Sequence, residues 1–179
     1  MANRQEPSSL GAWATLALLC EAEAHGWALV RALAPEGEIG RVWSIRRALV
    51  YRMIESLIES GMIEQAGSEP GTRGSPRNVL RVTRAGRRAV ARWLAEPVPH
   101  VRDLRSALLL KLLFAQRAGL DRLPLLEAQS TILAETVLAL EAPPPGEEEA
   151  AQTARMFRLE TARAGLRFVE AERVRIGCP

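Results

Sequence analysis

The stretch from residue 67 to residue 77 constrains the fold most, because it holds three glycines and two prolines in eleven residues. A stretch of this composition does not form a helix and is typical of a long loop. Short runs with apolar and β-branched residues flank it, at residues 62–66 and 78–82. The sequence therefore predicts a two-stranded hairpin with a basic loop, inside a chain whose other segments show helical spacing.

Four helices are predicted around this hairpin. The first begins at Ser8 or Ser9 and ends near residue 22, and the second covers about residues 25–34. The third covers residues 45–60 with Ser44 as its N-cap, and the fourth follows Thr83. The third helix has an inward face of apolar residues at helical spacing, namely Val50, Met53, Ile54 and Leu57.

The run Pro97-Val98-Pro99 marks a boundary, after which every segment reads as helical. Two long segments there repeat apolar residues in steps of three and four, which is typical of helices packed along a seam. The sequence therefore predicts a mostly α protein. Residues 1–96 would form a winged helix-turn-helix DNA-binding domain, and residues 97–179 would form a helical dimerisation domain.

Charge is distributed unevenly along the chain. Residues 41–92 contain 11 arginines against four acidic residues, a local net charge of +7, whereas basic and acidic residues balance beyond residue 98. Arginine supplies a planar fork that suits phosphate and guanine. GC-rich coding is an alternative cause of the arginine content. The uneven distribution nevertheless favours a half that binds a polyanion and a second half with another task.

Several protein classes are disfavoured by composition. No segment approaches the ~20 uninterrupted apolar residues of a spanning helix. Glu6 and Pro7 are unlike the start of a signal peptide, so we expect a buried first helix, a cytoplasmic protein and no membrane partner. With two cysteines, two histidines and none of the catalytic or metal-ligand spacings, the sequence predicts neither an enzyme nor a cofactor or metal.

The order of these elements matches a winged helix-turn-helix, and particular motifs make the match specific. Across roughly residues 10–95 the chain resembles the PadR family of transcriptional regulators, with matching stretches at residues 16–19, 25–29, 50–52, 57–63, 76–77, 82–87 and 93–94. The helical tail resembles the longer C-terminal dimerisation domain of one branch of that family. The resemblance implies a homodimer that represses transcription at double-stranded operator DNA, often relieved by a small aromatic or drug-like effector.

The DNA-binding candidates come from the third helix and the hairpin loop. Counting 100° per residue directs Arg52 outward with Ile45, Ala48 and Glu55, while Arg46 and Arg47 fall on the inward side, one turn before the core begins. Tyr51 is equally suited to packing and to phosphate donation. We expect DNA contacts from Arg46, Arg47, Tyr51, Arg52, Arg73 and Arg77.

The apolar positions of the tail are the candidate dimer interface: Leu104, Leu108, Leu112, Leu126, Leu133, Val137, Leu159, Leu166 and Val169. His25 suits a cap or the core better than a metal site. Trp13, Trp27, Trp43 and Trp93 suit the core better than a ligand cavity. The alternative function is a winged-helix protein-interaction module that has lost specific DNA binding and acts through an apolar surface at Ile45, Ala48 and Leu49.

Overall fold

The computed structural model describes residues 6–69 and 77–177. It is mostly helical with a small three-stranded antiparallel sheet, so the predicted fold class is confirmed. The chain divides into two compact units, Met1–Trp93 and Leu94–Pro179. Each unit is described by itself below.

The first unit contains four helices and the sheet. Its helices are α1 (Leu10–Glu21), α2 (Gly26–Leu33), α3 (Arg47–Glu59) and α4 (Arg84–Ala95), the last of which runs past the end of the unit. Helix α1 begins after Ser9, whose hydroxyl accepts a hydrogen bond of 3.2 Å from the N–H of Ala12, as a serine N-cap should. This local signal was strong enough to predict the start of the helix.

The sheet has one strand more than the predicted hairpin. Strands β2 (Ile63–Glu69) and β3 (Arg77–Val82) pair antiparallel, and β1 (Ala24–His25) pairs with the other edge of β3, giving the order β1-β3-β2. Strand β1 has only two residues, opposite Leu80 and Val79. A two-residue strand has no side-chain periodicity, so this strand could not be predicted from the sequence.

Helix α3 begins later than predicted, and Ser44 is not its N-cap. The helix starts at Arg47, and Arg46 is its N-cap without a side-chain capping bond. Ile45 lies before the helix, donates its N–H to the carbonyl of Leu33 at 2.9 Å and is 7% exposed, which corrects the outward position predicted for it. Burial of this isoleucine in the core prevails over the capping preference of the serine.

A tight corner joins α3, the sheet and α4. Gly61 adopts φ 67°, a conformation that favours glycine, and the chain then turns into β2. The Thr83 hydroxyl donates to the carbonyl of Gly61 at 2.8 Å and accepts from the N–H of Gly86 at 3.2 Å, so it caps α4 as predicted. Gly86 is required here, because a Cβ on it would clash with the carbonyl oxygen of Met62.

The core of the first unit lies between α1, α3 and the sheet. Trp13 and Trp93 stack with ring centroids 5.4 Å apart and 4° between their planes. The other two tryptophans are not core residues, since Trp27 is 49% and Trp43 37% exposed. The largest fully buried side chains of the unit include Leu16, Leu19, Leu33, Ile39, Val50, Leu57 and Ile63.

The second unit is helical throughout its regular structure. A 3-10 turn (Val101–Asp103) and a π-helical turn (Leu104–Leu108) lead into α5 (Leu109–Arg117), and α6 (Leu123–Glu141) and α7 (Glu149–Gly177) follow. The apolar run at residues 104–114 is therefore divided between a π-helical turn and an α-helix. Asp121 precedes Arg122, the N-cap of α6, and its carboxylate accepts a hydrogen bond from the N–H of Leu123 at 2.9 Å.

Helices α6 and α7 pack against each other along the predicted three–four seams. The seam residues Leu126, Leu133, Leu140, Leu159, Ala162 and Val169 are all buried. Helix α6 is long and apolar enough to cross a membrane by length and composition alone. Only 22% of its most apolar window is buried within the chain, and the helix carries Glu127, which lies 3.5 Å from the Arg173 guanidinium.

Two polar side chains of the second unit hold the segment that follows α4. Gln129 is fully buried; its amide oxygen accepts from the N–H of Val98 at 2.8 Å, and its amide nitrogen donates to the Val98 carbonyl at 3.1 Å. Lys111 is 3% exposed and donates its Nζ to the carbonyl of Glu96 at 2.7 Å. Burial lowers the pKa of this lysine to about 8, against the opposing effect of the Glu96 charge.

Candidate nucleic-acid interface

The outer face of α3 and the residue before it carry three exposed arginines, Arg46, Arg47 and Arg52. None of the three forms an ion pair within the described part of the chain. Arg46 and Arg47 are exposed although the helical count placed them inward, because Arg46 precedes the helix and Arg47 is its first residue. Glu55 lies one helical turn from Arg52, and the two form no ion pair within the described residues.

Tyr51 lies beside these arginines and is 36% exposed. Its ring rests on the backbone of Gly26, since a Cβ there would lie 2.8 Å from Tyr51 Cε1. The Arg47 guanidinium lies 5.8 Å from the centroid of the same ring. Of the two alternatives for Tyr51, the structure thus shows a packed ring face with the remainder open to solvent.

A cavity of about 800 Å³ opens next to this face of α3. The helix contributes Arg47, Tyr51 and Glu55, and the sheet contributes Gln65 and Asn78 from β2 and β3. The remaining wall comes from the start of α2, at residues 25–27. Its size and its few convergent polar groups are typical of small-molecule sites.

The predicted DNA contacts of the hairpin are only partly within the described structure. Arg73 lies outside the described residues, and Arg77 is the first residue of β3. Another arginine of β3, Arg81, lies 2.8 Å from Glu64 and 3.8 Å from Glu23. Its hydrogen bond to the Glu64 carboxylate raises the pKa of Arg81, and these two acids satisfy its charge.

The arginines of α4 differ in their contacts. Arg87 donates to the carbonyl of Cys20 at 3.1 Å, and Arg92 lies 2.7 Å from Glu6. Burial raises the pKa of the Cys20 thiol to about 11, so this cysteine is a protonated, half-buried residue at neutral pH. These contacts could not be predicted from the sequence, because Cys20 and Glu6 lie far from Arg87 and Arg92 along the chain.

Trp27 and Arg31 form an exposed pair that was not predicted from the sequence. The Arg31 guanidinium lies 4.8 Å from the Trp27 ring centroid, and the His25 and Trp27 rings lie 6.4 Å apart with 25° between their planes. His25 precedes α2 without a side-chain capping bond, so the predicted capping role is not observed. The four-residue spacing of Trp27 and Arg31 on a helix was the available signal.

Most of the residues proposed as the dimer interface are buried inside the chain itself. Two clusters of the second unit hold six of them: Leu108, Leu112, Leu126, Leu133, Leu159 and Val169. Leu104, Val137 and Leu166 are partly buried and pack against these clusters. In this conformation the six buried residues have almost no surface to offer a second chain, because other side chains of the same unit already cover them.

Other apolar residues of the second unit are exposed instead. Phe157 on α7 is 74% and Leu138 on α6 is 67% exposed. Phe157 and Phe168 line an apolar groove of about 630 Å³ with the side chain of Leu104, and Arg102 and Arg105 also border it. An exposed aromatic surface of this kind is typical of an interaction site.

Comparison with known proteins adds family information to this geometry. Residues 15–92 match the model of the transcriptional regulator PadR-like family. The structure of Bacillus subtilis PadR in complex with operator DNA is similar, with 17% identity over 90% of this chain and 97% of that chain and a TM-score of 0.47.

Two further solved structures are similar at comparable levels. Bacillus subtilis PadR alone shows 18% identity over 98% of this chain and 99% of that chain, with a TM-score of 0.42. The smu.1604c protein of Streptococcus mutans UA159 shows 16% identity over 90% of this chain and 97% of that chain, with a TM-score of 0.44. The comparison with curated proteins finds no match.

Proposed function

We propose that this chain, whose residues 15–92 match the PadR-like family of transcriptional regulators, is a cytoplasmic, homodimeric repressor that binds a specific operator. A small-molecule effector would relieve the repression. The chain would act by binding alone, without a catalytic activity. The single observation that supports this proposal best is the set of exposed arginines at α3, Arg46, Arg47 and Arg52, which no acidic residue neutralises in the described part of the chain.

We propose that α3 enters the major groove and that Arg52 reads a guanine there. Arg52 lies within the helix, whereas Arg46 and Arg47 lie at its start, where phosphate contacts are easier to make. No intrahelical ion pair to Glu55 has to break before Arg52 binds a base, which removes a competing interaction worth ~0.2–0.5 kcal/mol.

The Arg52 assignment is tested with Arg52→Ala and operator duplexes substituted at each position. Loss of a bidentate guanine contact costs about 1–3 kcal/mol of discrimination, so preference should flatten at one base pair per half-site. Affinity for random duplex should stay nearly unchanged. Arg92→Ala is the matched control, because it removes an arginine that is paired with Glu6. An unchanged base-preference profile for Arg52→Ala would show that α3 does not read the groove through this residue.

The hairpin arginines Arg73 and Arg77 are proposed to contact phosphates. Arg73 belongs to a glycine- and proline-rich stretch of the sequence and Arg77 begins β3, and a phosphate contact needs less exact placement of the side chain than a base contact does. Replacing either arginine with Ala should weaken cognate and random duplex equally. The slope of log affinity against log salt should fall by about one unit. A loss confined to cognate duplex would assign these arginines to base edges instead.

We propose that the second unit forms the dimer through its exposed apolar residues. Phe157 and Phe168 lie on one side of the α7 helix, eleven residues apart, and both border the groove described above. Helix α6 contributes further uncovered apolar surface, including Leu138. Dimerisation through these residues would bury apolar surface that a monomer leaves exposed to water.

Two charge insertions separate this interface from the chain's own core. Phe157→Glu should dissociate the dimer while far-ultraviolet circular dichroism stays native, whereas Leu133→Glu should unfold the second unit because Leu133 is fully buried. Gln152→Glu on exposed α7 surface is the control of equal charge change. Sedimentation velocity at micromolar concentration measures the result, and a wild-type monomer would contradict the dimer.

A two-fold dimer presents two copies of α3. The operator should therefore be an inverted repeat with half-site centres one or two helical turns apart, at ~34 Å per turn. The rival function, a module that binds protein through α3, is weakened because Ile45 is buried and only Ala48 and Leu49 remain of the apolar surface that favoured it. Footprinting that finds a single asymmetric site would contradict the symmetric assembly.

A further inference from the structure

The exposed side of α2 carries a tryptophan with an arginine lying over its ring. Trp27 and Arg31 are four residues apart on the helix, and the Arg31 guanidinium lies 4.8 Å from the centroid of the Trp27 ring. Leu29 and Leu33 bury the opposite side of α2 in the core of the first unit. The pair therefore faces solvent, with about half of the Trp27 surface exposed and Arg31 exposed as well.

Contact with a ring orders a guanidinium without occupying its hydrogen-bond donors. The N–H groups lie in the plane of the guanidinium, whereas a cation–π contact uses only its face. An acidic partner occupies these donors instead, as the Glu64 carboxylate does by accepting from Nε and Nη2 of Arg81. Arg31 has no acidic partner in the part of the chain that the structure describes. Its N–H groups are therefore available to an external anion, and less side-chain freedom is lost when that anion binds.

A second arginine and ring lie nearby on α3 in a similar arrangement. The Arg47 guanidinium lies 5.8 Å from the centroid of the Tyr51 ring, and Arg47 also lacks an acidic partner among the described residues. The Tyr51 ring packs on Gly26, which is the residue before Trp27. Trp27, Arg47 and Tyr51 line the same cavity. Both pairs of arginine and ring therefore border one concave surface, one pair contributed by α2 and the other by α3.

This surface suits the sugar–phosphate backbone of a duplex. In a helix-turn-helix the second helix enters the major groove, and the helix before it crosses the backbone. A phosphate accepts two parallel N–H groups from a guanidinium in bidentate geometry. Glu55 also lines the cavity but lies about two helical turns beyond Arg47, so the positive charge is concentrated where α3 begins.

We propose that Arg31 binds a phosphate of the DNA backbone, and that Trp27 is the positioning residue that holds the Arg31 guanidinium for this contact. The inference rests on the proposed DNA-binding function, and it adds α2 to the elements that contact the duplex. Trp27 acts through Arg31 and needs no contact with DNA of its own. The alternative is a stack that only stabilises α2, in which case the two side chains would not be coupled in DNA binding.

A double-mutant cycle on the full-length protein tests this coupling. Fluorescence anisotropy measures the affinity of wild type, Trp27→Leu, Arg31→Ala and the double variant for a random-sequence duplex over a series of salt concentrations. A random sequence is sufficient because a phosphate contact does not depend on the bases.

Arg31→Ala should weaken binding and lower the slope of log affinity against log salt by about one unit. Trp27→Leu should weaken binding about two- to fivefold, which is the range of an exposed cation–π contact. In the Arg31→Ala protein, Trp27→Leu should cause no further loss, because the side chain that it positions is already absent.

Three control variants separate positioning from a general loss of structure. Trp27→Phe keeps an aromatic face beneath Arg31 and should retain most of the wild-type affinity. Trp43→Leu removes another exposed tryptophan, over which no arginine lies in the described chain, so its effect should be the same with and without Arg31. Arg92→Ala removes an arginine that is paired with Glu6 and should leave the salt slope unchanged. Melting curves verify that each variant is folded.

Three results would overturn the proposal. The first is a wild-type salt slope in Arg31→Ala, and the second is a Trp27→Leu loss of equal size with and without Arg31. The third is saturable binding of inorganic phosphate to DNA-free protein at millimolar concentration that disappears in Arg31→Ala, which would assign the site to free phosphate. A wild-type protein that binds no duplex would refute the proposed function itself, whereas duplex binding that does not depend on Arg31 refutes only this assignment.

Discussion

Lys111 is a buried lysine, and its replacement by methionine should change how stability depends on pH. Lys111 is 3% exposed, and burial lowers its pKa from 10.5 to about 8. Methionine is unbranched and uncharged, and its side chain is one heavy atom shorter than that of lysine. The substitution therefore removes a titrating group while filling nearly the same space.

The sign follows from the lower proton affinity of the folded state. Between about pH 8 and pH 10.5 the unfolded chain holds the Lys111 proton and the folded chain releases it, so the free energy of unfolding rises with pH in that window. A drop from 10.5 to about 8 corresponds to about 3 kcal/mol, at about 1.4 kcal/mol per pH unit. The destabilisation is fully present below pH 8 and absent above pH 10.5. Cys20, whose pKa is raised to about 11, acts in the opposite direction at high pH.

Urea unfolding followed by circular dichroism measures this effect for wild type and Lys111→Met at pH 7, 8, 9 and 10, at one protein concentration. The difference between the two proteins cancels the Cys20 contribution, because both retain that cysteine. The free energy of unfolding of the wild type, relative to that of Lys111→Met, should increase by about 2 kcal/mol between pH 8 and pH 10. The absolute difference at pH 7 also contains the lost hydrogen bond to Glu96, so the slope is the decisive quantity. Parallel curves would refute the lowered pKa.

Two further predictions concern stability. Gln129→Leu should lower the free energy of unfolding by about 2–5 kcal/mol, because it leaves the buried N–H and carbonyl of Val98 unpaired. The control Gln152→Leu, at an exposed position, should lower it by less than ~0.5 kcal/mol, and denaturant midpoints compare the two variants. Gly86→Ala should destabilise the first unit by about 1–3 kcal/mol, because the added Cβ would clash with the Met62 carbonyl oxygen. Gly67→Ala is the control, since no atom lies near the position of its Cβ. Equal melting temperatures of the two variants would contradict the close approach at Gly86.

The sequence predicted those elements whose signals are local. The capping serine of α1, the inward stripe of α3 and the glycine- and proline-rich hairpin each act over a few residues, and the structure has each of them. The alternating seams of α6 and α7 were also readable, because a three–four repeat identifies the buried side of a helix. What such a repeat leaves open is whether the partner is a helix of the same chain or of another. That is why Leu126 and Val169 were assigned to a dimer interface and lie in the chain's own core.

Features that depend on contacts between distant residues were not predictable. Strand β1 exists because its backbone pairs with β3, more than fifty residues away in the sequence. Gln129 is a polar residue between the seam positions Leu126 and Leu133. Nothing in the neighbouring sequence indicated that its side-chain amide would form hydrogen bonds with both backbone groups of Val98. The cavity beside α3, which Trp27 lines, could not be predicted because its lining residues come from α2, α3 and the sheet.

The contacts of each arginine distinguish a coding bias from a role in DNA binding. A coding bias alone would scatter arginines over the surface, and folding would pair many of them with acids, as happens for Arg92 with Glu6 and for Arg155 with Glu147 at 2.9 Å. The arginines at the start and outer face of α3 have no such partner in the described structure. Clustering like charges on one helix face is unfavourable unless a polyanion neutralises them. A coding bias supplies the residue type, but this arrangement is what DNA binding requires.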